Sequence, residues 1–186
     1  MGDSFVCIAT RSLAITGYIA MSLSMWLGLS LSTGDPIGLK RRVSIKDLHR
    51  ALSVVSLLTV AGHAAMLLFD RYVPFGLRDL FVPFASDYRP FAVGLGVVGL
   101  YLLFALELSH VFSDTLGRRA WRVIHFASFG LYVASTFHGI LAGSDSGKLP
   151  LQILYVVSPG VTTFLIALRL FQRITRGARR AENPMP

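Results

Sequence analysis

A run of about 20 apolar residues can cross a bilayer as a helix, because that length at about 1.5 Å per residue matches roughly 30 Å of hydrocarbon. The chain contains five such runs, at about 9–31, 48–69, 91–112, 121–142 and 150–172. They take up most of its 186 residues, so the expected fold is an all-α, polytopic membrane helix bundle of five transmembrane helices. One domain over 1–186, without a soluble unit, follows as an expectation. Composition agrees: hydrophobic residues make up 53%, and charge collects between the apolar runs instead of being interspersed. The N-terminus has neither the basic region nor the small-residue cleavage site of a signal peptide, so the first run is expected to stay in the mature protein.

A net charge of +8 invites a nucleic-acid reading, and its distribution argues against one. Alternating the termini and loops across the membrane puts Arg11, Arg71, Arg78, Arg89 and Lys148 on one side, with Asp3, Asp70, Asp79, Asp87 and Asp145. The other side receives Lys40, Arg41, Arg42, Lys46, Arg50, Arg118, Arg119, Arg122, Arg169, Arg173, Arg176, Arg179 and Arg180, thirteen of the eighteen basic residues. The positive-inside rule makes that side cytoplasmic and places the N-terminus outside. The bias requires an odd number of spans and makes spans two and four parallel. It reads as topology and lipid contact in a multi-pass protein of the cell membrane, with no nucleic-acid partner.

Two of the apolar runs carry four of the five histidines. Leu48 to Phe69 holds His49 and His63, and Trp121 to Ala142 holds His125 and His138. The offsets of 14 and 13 residues correspond to rises of about 21 and 20 Å, so the two ladders match. Parallel spans then pair His49 with His125 near one face and His63 with His138 towards the other. An imidazole within a membrane is costly unless it finds a partner. Two stacked sites with two axial imidazoles each describe two b-type haems, with ordinary interhelical hydrogen bonding as the plainer alternative. A zinc or copper centre would want histidines one turn apart on a helix, and no pair has that spacing. At about 100° per residue, His49 and His63 fall within about 40° of one face, whereas His125 and His138 lie about 140° apart. The second helix is therefore expected to twist, bend or meet its ligands from different sides, with Gly130 the natural place for a bend.

This pattern, His-x13-His on one span and His-x12-His on a later parallel one, resembles the ferric-reductase-like transmembrane domain. Ferric reductases, NADPH oxidases and the haem subunit of bacterial methionine sulfoxide reductase systems share that domain. The resemblance covers roughly 43–172 and rests on two spacings and their order, with no contiguous signature. It implies that His49, His63, His125 and His138 ligate two haem irons and that electrons cross the membrane between them. The flavin and nicotinamide domains of ferric reductases and NADPH oxidases are not visible in these residues, and Gly94, Gly96 and Gly99 spell GxGxxG only inside span three, where they allow close helix approach. The expected electron donor is therefore a cytoplasmic flavoprotein or a membrane quinol. The expected acceptor at the outer face is ferric iron, oxygen or a periplasmic protein such as a methionine sulfoxide reductase. A transporter or proton-relay protein using its histidines without haem is the rival from another class. Cys7 is the only cysteine, which excludes an internal disulfide, an iron–sulfur cluster and a CxxCH attachment, so any haem is non-covalent.

Other residues carry secondary expectations. Arg11, Arg50, Arg118 and Arg122 are candidates to meet haem propionates, with snorkelling to the interface the plainer role for Arg11. Glu107 and His110, three apart in span three, are expected to pair with each other or with Arg118, or to form a proton or quinone site. The outer connection from Asp70 to Pro90 reads as a short interfacial helix, broken by Pro74, Pro83 and Pro90, filling the headgroup region or covering an outer haem. The loop from Ser32 to Asp47 turns at Gly34, Asp35, Pro36 and Gly38 before a basic approach to span two. Ser158, Pro159 and Gly160 predict a kink in span five.

Overall fold

The computed structural model describes residues 2–33 and 42–182, with side chains from 4 to 31 and from 45 to 175. The turn residues Gly34, Asp35, Pro36 and Gly38, and the basic pair Lys40 and Arg41, lie outside the described residues. Helices are the only regular elements among those described: α1 (Gly2–Thr33), α2 (Arg42–Leu67), α3 (Leu77–Phe81), α4 (Pro90–Val111), α5 (Ser113–Phe126), α6 (Ser128–Ala142) and α7 (Leu149–Glu182). Among the described residues five helices are long and apolar enough to cross a membrane, namely Ser4–Leu31, Ile45–Leu67, Pro90–Val111, Ser113–Ala142 and Leu149–Thr175. A helix satisfies its own backbone hydrogen bonds, which is why apolar sequence of this length takes that form in lipid.

Neighbour relations follow a ring: α1 packs along α2, α2 meets α4, α4 packs along α6, and α6 meets α1, while α7 lies on α1. α2 and α6 are thus diagonal, without broad backbone contact between them. At mid-depth the centre is filled by Tyr18, Met21, Met25 and Leu29 of α1, Leu103 of α4, and Leu131 and Tyr132 of α6.

Buried hydroxyls bind α1, α6 and α7 together. Ser158 bonds Ser22 at 2.9 Å and the Tyr132 hydroxyl, and donates to the Tyr18 hydroxyl at 3.4 Å. Tyr18 also shares a 3.0 Å bond with Thr136, and Trp26 Nε1 donates to Thr162 Oγ1 at 3.0 Å. In lipid no water competes for these groups, so such bonds fix which helices associate. α7 carries Pro159 inside an unbroken helix, so the expected kink does not interrupt it.

The fourth span departs from its expected start at 121. Helix begins at Ser113, but Gly117 has φ 73° and ψ 156°, a conformation open to glycine and strained for other residues, so the first turn is set off from the rest. A second discontinuity separates α5 from α6 at Ala127, whose N–H bonds Ile124 O at 2.9 Å in a tightened i→i−3 turn. This break in the regular helix lies three residues before Gly130, between His125 and His138.

The outer connection does form a short helix, α3, and it docks on α4. Leu80 is buried, the Tyr101 hydroxyl donates to Phe81 O at 2.6 Å, and the Phe84 ring sits where a side chain on Gly94 would stand. Phe69, Tyr72, Leu77, Phe81 and Val82 remain exposed. Arg89, at φ 43° ahead of Pro90, donates to Leu141 O at the end of α6 and so ties this connection to the fourth span.

Candidate functional site: two facing pairs of imidazoles

The four span histidines meet across the diagonal in the expected pairs. His49 and His125 have ring centroids 6.2 Å apart with planes at 77°, and His63 and His138 are 6.4 Å apart at 73°. An imidazole nitrogen lies about 1.2 Å from its ring centroid and binds a metal at about 2 Å, so two imidazoles on opposite sides of one ion have centroids about 6.4 Å apart. Both pairs have that separation.

What holds three of the four rings comes from the neighbouring helix of the ring, not from across it. His49 Nδ1 donates to Ser24 O at 2.8 Å, with the Ser24 hydroxyl also at 2.9 Å. His63 Nδ1 donates to Thr10 O at 3.0 Å. Thr10 and Ser24 are fourteen residues apart, as are His49 and His63, so one antiparallel register of α1 on α2 serves both. On the other side, His138 Nδ1 donates to Ala92 O of α4 at 2.7 Å. A carbonyl only accepts, so each of these three rings carries a proton on Nδ1, and a ring that is neutral then keeps Nε2 as a lone pair.

A helix carbonyl points towards the residue one turn on, so a ring bonded to it lies over that position, which has to be small. Gly28 follows Ser24 and Gly96 follows Ala92 by four residues. A Cβ on Gly28 would lie 3.2 Å from His49 Cε1, and one on Gly96 would lie 2.6 Å from His138 Cε1. These glycines are seats for the imidazoles. Histidine spacing does not reveal them, but a small residue one turn past a candidate carbonyl on a neighbouring span is a usable sequence signal.

The remaining candidates are placed as follows. Arg11 pairs with Asp145 at 3.0 Å, fastening α1 to the α6–α7 connection, and Lys148 reaches the same carboxylate at 2.8 Å. Its neighbour Thr10, not Arg11, touches the His63 ring. Arg122 Nε donates to Arg118 O of its own helix, and Arg50, Arg118 and Arg122 are exposed at the end of the bundle that holds His49 and His125. Glu107 accepts from the Ser53 hydroxyl, one turn from His49 on α2, instead of pairing with His110, which is exposed. The Asp145 carboxyl, outside the spans, is held below the ordinary carboxylate range by the Lys148 hydrogen bond and then by the Arg11 charge.

Among the described residues no three or more His, Cys, Asp or Glu side chains converge as a metal site, so a three- or four-ligand zinc centre is not built here. The donor set is two imidazoles per site. That set, the centroid separations and the glycine seats fit a macrocycle that supplies its own equatorial ligands and needs only two axial ones. Comparison of the chain with protein-family models, with curated proteins and with solved structures finds no match in any of the three.

Proposed function

We propose that the chain is a membrane cytochrome b subunit that passes single electrons between the two faces of the membrane through two non-covalent haem sites. His63 with His138 and His49 with His125 would be the axial ligands. The observation that carries the reading is the outer pair. Both of its rings give their Nδ1 protons to backbone carbonyls of other helices, and their centroids stand 6.4 Å apart inside the bundle, the separation that two imidazoles on one metal ion require. A neutral ring protonated on Nδ1 keeps Nε2 as an acceptor, so two such rings do not hydrogen-bond each other directly. The likeness of the two spacings to ferric-reductase-like domains supports the same reading.

When bound, haem supplies the one-electron couple. The protein's part is to fix the ligands, keep both sites in apolar surroundings and space them. The sites are separated along α2 by about 21 Å of rise, most of the hydrocarbon thickness, so one lies near each face. Two histidines held for each group would supply all the protein ligands it needs, which would suit electron transfer and put acceptor reduction at the outer edge. With the N-terminus outside, His49 and His125 would hold the cytoplasmic group, to which a flavoprotein or a quinol would supply electrons. The outer acceptor is ferric iron, oxygen or a periplasmic reductase, in a cell membrane.

The test is an absorption spectrum of protein purified after expression with ample haem. The expected result is a Soret band and a reduced α-band at two haems per chain. Absence of both bands would remove the reading, and one haem per chain would show that a single pair is used.

A further inference from the structure

One imidazole is held differently from the other three. His49, His63 and His138 each have Nδ1 on a carbonyl of the neighbouring helix. The α4 position in register with His125 is Ala105, thirteen residues beyond Ala92, and among the described residues no carbonyl takes the His125 Nδ1. The discontinuity at Ala127 lies between His125 and the part of the span that keeps register with α4. What lies against His125 is Trp121, one turn earlier on the same face, with ring centroids 4.8 Å apart and planes 16° from parallel.

Trp121 has its own anomaly. Its Nε1 is buried without an acceptor among the described residues. Tryptophan near a membrane interface ordinarily turns its N–H to water or headgroups, and burying that donor unpaired is costly. The ring therefore offers a buried donor beside the one paired imidazole without a hydrogen bond among the described residues.

We propose that Trp121 is the positioning residue of the His49–His125 pair: its ring fixes His125 by stacking, and its N–H donates to an acceptor atom at the edge of the group the pair binds. The second half rests on the haem reading and the first does not. An Nδ1–H bond to a carbonyl raises the basicity of a metal-bound imidazole. The two sites are then chemically unequal, the outer one having two such ligands and the inner one only His49.

The experiment compares Trp121→Phe and Trp121→Leu in the full chain inserted in membrane, with the inner spectral component defined as the one lost in His49→Ala. Phenylalanine keeps the stack and removes the N–H; leucine removes both. The expected result is that Trp121→Phe preserves the electron paramagnetic signature of the inner component but speeds its haem loss to apomyoglobin about tenfold, the order of one hydrogen bond. Trp121→Leu should also shift that signature, with the outer component unchanged in both variants. An inner component with unaltered signature and unaltered haem loss in Trp121→Leu overturns the proposal, and should that variant not insert, unaltered haem loss in Trp121→Phe overturns its donor half. If the wild-type chain shows no Soret band, the haem reading and the donor half fail together. Stacking is then decided by 15N-histidine spectra of the full chain, where an unshifted His125 ring signal in Trp121→Leu overturns that half as well.

Discussion

His63 and His138 face each other across the bundle at 6.4 Å between ring centroids, and each is held from behind by a main-chain carbonyl of a different neighbouring helix. Neither histidine is oriented by its partner. The rings are aimed by α1 and α4, so the pair is preorganised by packing before anything occupies the space between.

Replacement of His63 or of His138 by alanine should remove one and the same spectral component, and replacement of His49 or His125 should remove the other. The planes at 73° and 77° add a spectroscopic expectation. Nearly perpendicular imidazoles act almost equally on the two iron orbitals they face, which leaves those orbitals close in energy. Low-temperature paramagnetic resonance should therefore show highly anisotropic low-spin signals. A common component lost from both His63→Ala and His125→Ala would overturn the pairing.

The glycine seats predict an order of severity. A methyl at Gly96 would approach His138 to 2.6 Å and one at Gly28 would approach His49 to 3.2 Å. Gly96→Ala should displace its imidazole and lose most of the outer component, with overpacking on the order of 1–3 kcal/mol. Gly28→Ala needs a shift of only a few tenths of an ångström and should retain most of the inner one. Haem content of the purified variants measures both, and equal losses would contradict the seat geometry.

Ser158 and Ser56 are equally buried, each 1% exposed, and differ in what their hydroxyls reach. Ser158 joins Ser22, Tyr18 and Tyr132 across three helices, whereas Ser56 bonds only Leu52 O of its own helix. Ser158→Ala leaves tyrosine hydroxyls short of a partner and should cost about 1–2 kcal/mol. Ser56→Ala should cost about 0.5 kcal/mol or less. Unfolding midpoints in detergent would separate the two.

Acid should loosen the end of the bundle that carries Asp145. Asp145 is held below the ordinary carboxylate value by the Lys148 hydrogen bond and next by Arg11. A depressed folded value means that the contribution is complete above the unfolded carboxylate value of about 3.9 and is lost as pH falls through the lower folded value. Melting temperature measured from about pH 6 to pH 2 should show an acid-side decline that Asp145→Asn reduces. An identical pH profile in the variant would show that the cluster contributes nothing.

The chain alone should not oxidise NAD(P)H, since hydride must become single electrons on a flavin before a haem can take them. Dithionite should reduce it directly. With an acidic flavoprotein as donor, the rate should fall as salt rises, because exposed Lys46, Arg50, Arg118, Arg119 and Arg122 attract it through a field screened over about 10 Å at 0.1 M salt. A quinol arriving through lipid should show little such dependence.

The five spanning helices and the pairing of four histidines were legible in the residues, because apolar length and axial rise are properties of one chain segment read alone. An irregularity in the fourth span was legible as one way to absorb the mismatch of about 140°, but not as a place. The helix breaks at Ala127, three residues before Gly130. Tertiary structure alone decided what aims the imidazoles and what joins the helices. The carbonyls of Thr10, Ser24 and Ala92 are invisible in a sequence, since every residue has one. Ser158 finds Ser22, Tyr18 and Tyr132 only when α1, α6 and α7 are brought together. The same holds for Arg11, whose charge predicts a partner at the interface and whose partner, Asp145, is set by the packing of α1 beside the α6–α7 connection. Spacing along one helix survives any packing, whereas a hydrogen bond between helices exists only in the register that packing selects.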